Sequence, residues 1–153
     1  MPLEIERKYL VRSNTYQDKA QSTDIKQAYL SVEGKLAIRV RIDGMQASLA
    51  IKSKVSERVN REYEYNIPVD EAQSIMKLDN FPLIKKTRYL VQYKSYTWEV
   101  DEFHDENRGL IIAEIELSDK DEKFDLPPWV GKEVTADYRY LNSNLAINPF
   151  SKW

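Results

Sequence analysis

The sequence predicts a mainly β domain with few helices, folded as a barrel or a strongly curved antiparallel sheet. The main evidence is an alternation of polar and apolar residues, typical of half-buried strands, that recurs through most of the chain. Turn signals such as Glu33-Gly34, Asp43-Gly44 and Asn107-Arg108-Gly109 separate several alternating runs. With 153 residues, 42% of them hydrophobic, the chain can bury one core. We therefore predict a single domain over residues 1–153.

The alternating runs, taken in chain order, give seven strands and a weaker eighth. The seven are residues 3–11, 36–42, 47–54, 61–67, 85–93, 96–103 and 111–117, and the weaker candidate is 27–32. A helix is predicted over residues 70–78, because Asp70 follows Pro68 as an N-cap. Ala72, Ile75 and Met76 then recur at helical spacing. Residues 140–146 and 14–20 are shorter helix candidates.

The composition excludes several classes of chemistry. The absence of cysteine rules out a disulfide scaffold, a Cys-ligated zinc site and a cysteine nucleophile, and a single histidine, His104, rules out sites that need two. A net charge of −2 argues against a globally basic nucleic-acid-binding protein. No apolar run approaches a membrane span, and the N-terminus lacks the apolar core of a signal peptide. We expect a cytoplasmic domain without a nucleic-acid or membrane partner, whose chemistry rests on carboxylates, Lys, Arg and Tyr.

The charged residues of the predicted strands are sorted by sign. Residues i and i+2 share a face of a strand, and seven strands each carry a like-charge pair at that spacing, opposite a largely apolar face. The pairs are Arg39/Arg41, Lys52/Lys54 and Lys86/Arg88, which are basic, and Glu4/Glu6, Glu62/Glu64, Glu99/Asp101 and Glu114/Glu116, which are acidic. One such pair would be an ordinary solvated face, but such a face normally mixes both signs.

Segregated charges of this kind indicate ligands of opposite sign. Like charges side by side repel unless an opposite charge lies between them. The basic pairs suggest a polyanion, and the acidic pairs suggest a hard divalent cation bound by oxygen ligands. A polyphosphate with Mg²⁺ or Mn²⁺ satisfies both. Periodicity alone does not decide whether the charged face lines a closed barrel or lies on the outside of an oppositely curved sheet.

The same residues resemble a known family. Glu4-Ile5-Glu6-Arg7-Lys8 resembles the N-terminal E-x-E-x-K signature of the CYTH superfamily, the triphosphate tunnel metalloenzymes. The ordered set of motifs continues through Gln27-Ala28-Tyr29-Leu30, Ile38-Arg39-Val40-Arg41, Leu49-Ala50-Ile51-Lys52, Arg61-Glu62-Tyr63-Glu64, Lys86-Thr87-Arg88-Tyr89, Trp98-Glu99-Val100-Asp101, Ala113-Glu114-Ile115-Glu116 and Val134-Thr135-Ala136-Asp137 with Arg139-Tyr140. The resemblance covers residue 3 to about 146 and is closest to the short bacterial members.

The resemblance implies an eight-stranded, closed antiparallel barrel, a tunnel that holds a triphosphate, with a few peripheral helices. It implies phosphate contacts from Lys8, Arg39, Arg41, Lys52, Lys86, Arg88 and Arg139. It implies metal ligands, for Mg²⁺ or Mn²⁺, among Glu4, Glu6, Glu62, Glu64, Asp101, Glu114 and Glu116, with Glu99 as a further candidate. In one departure from the family pattern, Tyr138 stands where a Lys often precedes the arginine matched to Arg139.

The implied reaction is in-line attack of water on a terminal phosphorus, which needs positioning and charge neutralisation more than covalent chemistry. Glu4 and Glu6 are candidates to orient or deprotonate that water. A second candidate is Tyr29 with Lys52, which resembles a Lys/Tyr pair proposed for short bacterial relatives. This second version predicts an alkaline activity optimum, since an ordinary tyrosine ionises only near pH 10.

Several functions stay open on the sequence. The leading hypothesis is metal-dependent hydrolysis of inorganic triphosphate to pyrophosphate and phosphate. A thiamine triphosphatase and a class IV type adenylyl cyclase would use the same fold. A non-catalytic sensor of polyphosphate or nucleotide needs the cations more than the carboxylates, and a lipocalin-like barrel would leave the sorted charges without a purpose. Exposed apolar outer strands would favour a homodimer.

Overall fold

The computed structural model describes residues 3–18, 20–34 and 36–153 and contains nine strands and two α-helices in that range. The strands are β1 Leu3–Val11, β2 Gln21–Ser31, β3 Leu36–Asp43, β4 Gln46–Lys54, β5 Val59–Ile67, β6 Leu83–Tyr93, β7 Tyr96–Phe103, β8 Ile111–Leu117 and β9 Val130–Glu133. The helices are α1 Val69–Met76 and α2 Asn142–Ile147.

Eight of the strands close into an antiparallel barrel. The hydrogen-bonded order is β5-β4-β3-β2-β6-β7-β8-β1, and β1 then pairs with β5 to complete the ring, with Leu3 opposite Arg61. The short strand β9 pairs with the end of β1 and lies outside the ring. The predicted closed eight-stranded barrel is confirmed, and closure leaves no free sheet edge among its strands.

The charged strand faces point into the barrel. Residues opposite each other in neighbouring strands share a face, and the register joins basic to acidic positions directly. Lys52 is opposite Glu62, Lys8 is opposite Glu114, and Arg88 is opposite Asp101. The structure therefore answers the question that periodicity left open: the inner surface is charged, and the apolar faces look outward.

The outward apolar faces are covered by segments outside the barrel. Helix α1 packs on β3 and β4, where Ala72 meets Val40 and Ala47. The outer faces of β1, β7 and β8 pack against the segment that follows β1 and against the start of β9. The buried residues of this cluster are Tyr9, Tyr16, Trp98, Val100, Ala113, Ile115, Leu117, Trp129 and Val130. Trp98 is fully buried and packs edge-on against Trp129, with ring centroids 5.7 Å apart. This outer packing supplies the core that a polar barrel interior lacks.

Apolar inward-facing side chains close one end of the tunnel. Ile84, Phe103 and Ile112 share the inner face with charged residues and pack against Leu145 of α2 and Tyr140. Helix α2 is therefore not peripheral, because its first residues reach the cavity inside the barrel.

Several predicted elements need correction. The helix predicted over 14–20 is wrong: only a 3-10 turn forms at Thr15–Gln17, where Tyr16 is buried, and residue 19 lies outside the described residues. Helix α1 begins at Val69 after Pro68, so Asp70 is not the N-cap; it lies in the first turn, where its charge favours the helix N-terminus. The weak strand is longer than predicted, β9 was missed, and the helix predicted over 140–146 begins two residues later.

Two further observations concern the surface. Within the described ranges, no helix is long and apolar enough to cross a membrane. On the outer face of β5, Tyr63 and Tyr65 are 42% and 56% exposed, and Leu3 of neighbouring β1 is 44% exposed. These aromatic and apolar side chains agree with the exposed outer strands expected from the sequence, and the homodimer stays a prediction.

Candidate functional site

A narrow cavity runs inside the barrel, and most of its polar lining comes from the sorted strand faces. The polar lining residues are Glu6, Lys8, Tyr29, Arg39, Arg41, Lys52, Asn60, Lys86, Arg88, Glu114, Asn142 and Ser143. Room between the charged groups comes from the small side chains Ala37 and Ala50, which line the same cavity. The cavity is therefore shaped by long charged side chains around a few short ones.

The strand order divides the tunnel into two oppositely charged walls. The three basic pairs lie on β4, β3 and β6, which are neighbours in the ring apart from the uncharged stretch of β2 between β3 and β6. The four acidic pairs lie on β7, β8, β1 and β5, which follow one another without interruption. We call these the basic wall and the acidic wall. Lys8 of β1 is a cation within the acidic wall, where it lies 3.5 Å from Glu114.

Ion pairs join the two walls where they meet and across the tunnel. Lys52 Nζ lies 3.0 Å from Glu4 Oε1 and 3.2 Å from Glu62 Oε2. Arg39 Nη2 lies 3.2 Å from Glu64 Oε2. Burial alone would raise the pKa of Glu62, but Lys52, a hydrogen bond with Glu4 and the charge of Arg39 together outweigh burial and lower it. Lys52 and Arg39 of the basic wall are thus each paired with carboxylates of the acidic wall.

The deepest ion pairs surround Asp101, which is completely buried. Lys86 Nζ lies 2.8 Å from Asp101 Oδ2, and Arg88 grips both carboxylate oxygens at 2.8 and 2.9 Å. Burial alone would raise the pKa of Asp101, but Lys86 and Arg88 lower it. Asp101 therefore stays ionised and holds Lys86 and Arg88 of the basic wall in place.

Burial and mutual repulsion raise the pKa values of three carboxyls of the acidic wall. Burial, followed by repulsion from Glu114, raises the pKa of Glu6 to about 8. Burial also raises the pKa values of Glu4 and Glu116, and each has a neighbouring carboxylate that adds to the shift. Asn60 Nδ2 lies 3.3 Å from both Glu4 Oε1 and Glu6 Oε1 and donates to them. A cation bound here would relieve this repulsion.

Comparison with known proteins supports the family resemblance found in the sequence. The CYTH domain model matches residues 2–146. The chain belongs to the CYTH family. It is 44% identical over its whole length to an inorganic triphosphatase of Acetivibrio thermocellus, and the alignment covers 99% of that protein. It is 31% identical, over 95% of this chain and 97% of the relative, to an inorganic triphosphatase of Nitrosomonas europaea.

A solved crystal structure of an inorganic triphosphatase has the same architecture. It matches with a TM-score of 0.69 at 30% identity, covering 94% of each chain. The resemblance to the triphosphate tunnel metalloenzymes is thus confirmed, and the barrel is the CYTH tunnel fold. Membership of this family implies a divalent metal cofactor.

The donor set of this CYTH chain fits a divalent metal by its chemistry. The acidic wall offers carboxylate oxygens from Glu4, Glu6, Glu62, Glu114 and Glu116, which is the ligand type that Mg²⁺ and Mn²⁺ prefer. Burial first, and then repulsion from Glu114, raise the pKa of Glu6, so a cation at this wall would favour the ionised carboxylate. Across residues 3–18, 20–34 and 36–153, no three carboxylates or histidines already lie together as a ready-made metal cage. Glu4 and Glu62 instead share the ammonium group of Lys52, at 3.0 and 3.2 Å.

The predicted site residues fall into three groups by position. Those that line the cavity are Glu6, Lys8, Tyr29, Arg39, Arg41, Lys52, Lys86, Arg88 and Glu114. Those on the inner face, joined to the first group by ion pairs or strand pairing, are Glu4, Glu62, Glu64, Glu99, Asp101 and Glu116. Arg139 lies elsewhere, paired with Asp137 at 2.7 Å and packed 4.8 Å from the ring centre of Trp153. Its phosphate contact stays a prediction, as do the roles of the other residues.

Tyr138, where the family pattern often has a Lys, lies at the surface beside the tunnel. Tyr138 is 69% exposed and, with Lys54 and Leu36, lines the wider opening that adjoins the tunnel. A phenol therefore stands at the rim of this opening, next in sequence to an arginine that is engaged with Asp137.

The charge pattern missed three uncharged amides that line or cross the cavity. Gln27 of β2 is fully buried, and Asn60 of β5 has only 3% of its surface exposed. Asn142 enters from α2 and accepts a hydrogen bond from Lys86 Nζ at 2.8 Å. Gln27 and Asn60 are each two residues from a predicted site residue, Tyr29 and Glu62, so extending the alternation would have found them. No sequence signal marks Asn142.

Proposed function

We propose that this protein is a metal-dependent hydrolase that cleaves inorganic triphosphate to pyrophosphate and phosphate. The observation that carries the proposal is the pair of opposed walls, one basic and one acidic, inside a closed CYTH barrel. Two relatives that the chain matches over nearly its whole length are named inorganic triphosphatases.

The basic wall provides the substrate contacts in this proposal. Arg39, Arg41, Lys52 and Arg88, with Lys8 and Lys86, line the cavity and would bind phosphate oxygens, the arginines in bidentate fashion. Arg39 Nε is buried and has no hydrogen-bond acceptor among the residues that the structure describes. An unsatisfied buried donor costs free energy, so a phosphate oxygen at this atom is favoured.

The acidic wall provides the metal ligands. We propose that Mg²⁺ or Mn²⁺ is held by Glu4, Glu6, Glu62, Glu114 and Glu116, with Glu64 at the edge of this set. When bound, the ion neutralises negative charge on the phosphate oxygens. Asp101 acts differently from the ligands in this proposal, because two cations already occupy both of its oxygens.

Hydrolysis needs a water positioned in line with the terminal phosphorus. We propose that Glu4 and Glu6, which a bound cation would keep ionised, orient this water and accept its proton, while the phosphorus–oxygen bond to pyrophosphate breaks. Asn60 holds both carboxylates by donating to each at 3.3 Å. Substrate binding exchanges partners: phosphate oxygens take the places of carboxylates on the basic wall, so no cation loses its counter-charge.

The test is phosphate release from inorganic triphosphate, ATP and thiamine triphosphate, each with Mg²⁺, with Mn²⁺ and with EDTA. We expect metal-dependent turnover that prefers inorganic triphosphate and that Glu4→Gln/Glu6→Gln abolishes. Glu33→Gln, an exposed glutamate, is the matched control and should behave as wild type. Cyclic AMP formation from ATP would support a cyclase instead, and tight triphosphate binding without turnover would support a sensor.

A further inference from the structure

Gln27 lies at the centre of a hydrogen-bonded chain that crosses the uncharged part of the tunnel. Its amide nitrogen lies 2.8 Å from Tyr29 Oη and 3.2 Å from Asn142 Oδ1. Its amide oxygen accepts from Arg41 Nε at 3.2 Å. At the far end, Lys86 Nζ lies 2.8 Å from the same Asn142 oxygen. The Gln27 side chain has no exposed surface, so these contacts account for its polar atoms.

The two cations in this chain fix the direction of every hydrogen bond between them. Arginine and lysine side chains can only donate. The oxygen of Gln27 must therefore face Arg41, and the oxygen of Asn142 must face Lys86. The nitrogen of Gln27 is then the group that faces Tyr29 and Asn142, and its two hydrogens supply one bond to each.

The consequence for Tyr29 is that its oxygen accepts a hydrogen bond from inside the wall. A phenol has a single proton, and the direction towards Gln27 is already occupied by the amide hydrogen. The Tyr29 side chain is 4% exposed and lines the cavity, opposite Arg39 in the neighbouring strand. Its own O–H is therefore left to donate towards the tunnel.

We propose that Gln27 is a positioning residue that directs the Tyr29 hydroxyl proton into the tunnel, where it donates a hydrogen bond to an oxygen of the bound triphosphate. This inference rests on the proposed function for the identity of the ligand. Gln27 itself touches no substrate; it acts through Tyr29. The polarity of the chain is what matters, so a side chain of the same shape and opposite polarity should disable Tyr29.

The decisive variant is Gln27→Glu. A carboxylate only accepts hydrogen bonds, so Tyr29 would turn its proton towards the wall and away from the tunnel. The introduced charge faces Arg41, which gives it a partner and favours folding. Gln27→Met removes the donor without reversing it, and its unfolding midpoint shows separately what the lost hydrogen bonds cost. Gln73→Glu, on the exposed face of α1, is the matched control for the charge.

The measurement is a double-mutant cycle with Tyr29→Phe. We expect Gln27→Glu to lower kcat at least tenfold when Tyr29 is present, and less than twofold in the Tyr29→Phe background. Gln27→Met should give a smaller loss that also needs Tyr29. Equal losses in both backgrounds would overturn the inference, since Gln27 would then act through Arg41 or through packing. Full activity of Gln27→Glu would overturn it as well.

A binding measurement separates this inference from the proposed function. Calorimetry with inorganic triphosphate in EDTA records Kd without turnover, and the same dependence on Tyr29 is expected there. If wild type binds triphosphate without hydrolysing it, the proposed function fails, and the Kd cycle still decides the role of Gln27. If wild type neither binds nor hydrolyses triphosphate, both are refuted.

Discussion

Replacing Glu6 by Gln should stabilise the ligand-free protein while removing a residue that we assign to catalysis. The pKa of the Glu6 carboxyl is raised to about 8, first by burial and then by repulsion from Glu114. Glu4 adds to the repulsion, and Lys52 and Lys8 oppose it. A raised pKa means that the folded protein favours the neutral acid, whereas the unfolded chain ionises near 4.5. Stability from this group is complete below pH 4.5 and is lost as the pH rises towards 8.

The size of the effect follows from the shift. Each pKa unit is worth about 1.4 kcal/mol, so at pH 7 ionisation of the unfolded chain costs the folded state about 3 kcal/mol. Glutamine resembles the neutral acid in shape and keeps an oxygen that can accept from Asn60. Glu6→Gln should therefore gain about 3 kcal/mol in the free energy of unfolding at pH 7.

The assay is urea unfolding in EDTA at pH 5, 6, 7 and 8, with Glu33→Gln as the exposed control. The difference between Glu6→Gln and wild type should be about 1 kcal/mol at pH 5 and should grow by about 1.2 kcal/mol per pH unit, to about 4 kcal/mol at pH 8. A difference that is constant across this range would refute the reasoning, because it would show a packing effect instead of a titration.

Three further outcomes follow from the ion pairs. Asp101→Asn should destabilise the protein by about 3–5 kcal/mol in urea unfolding, because it leaves Lys86 and Arg88 buried without their shared counter-charge; a loss below 1 kcal/mol would contradict this. Arg39→Ala should raise KM for inorganic triphosphate about tenfold in a phosphate-release assay. Arg139→Ala should raise KM less than Arg39→Ala does, because Arg139 is engaged with Asp137 outside the cavity; the reverse order would restore its predicted phosphate contact.

Much of the barrel was predictable because its charged faces alternate so regularly. Arg39 with Arg41, and Lys86 with Arg88, mark strands whose bounds agree with β3 and β6 to within two residues. The exceptions lack that signal. The start of β2 at Gln21 is mainly polar on both faces, and β9 has only four residues, so neither shows a clear period of two.

The two-walled tunnel could not be predicted from the sequence, because it depends on which strands become neighbours. β2 pairs with β6 across a long separation in the chain, and β1 pairs with both β5 and β8. These non-local pairings place Arg41 on one side of the ring and Glu6 on the other. They also decide that Asp101, a predicted metal ligand, meets Arg88 in the neighbouring strand.

The interior of this barrel is held together by interactions that its ligand must break. Lys52 is bound by Glu4 and Glu62, and Arg39 by Glu64. Under the proposed function, phosphate oxygens would compete with these carboxylates for the same donors. Affinity is then the difference between two sets of charge-assisted bonds rather than the sum of one. A triphosphate with its divalent ion satisfies both walls at once, whereas a bare anion would leave the carboxylates of the acidic wall without their cations. Under the proposed function, this exchange gives a physical reason why a divalent ion would strengthen the binding of triphosphate beyond its affinity in EDTA.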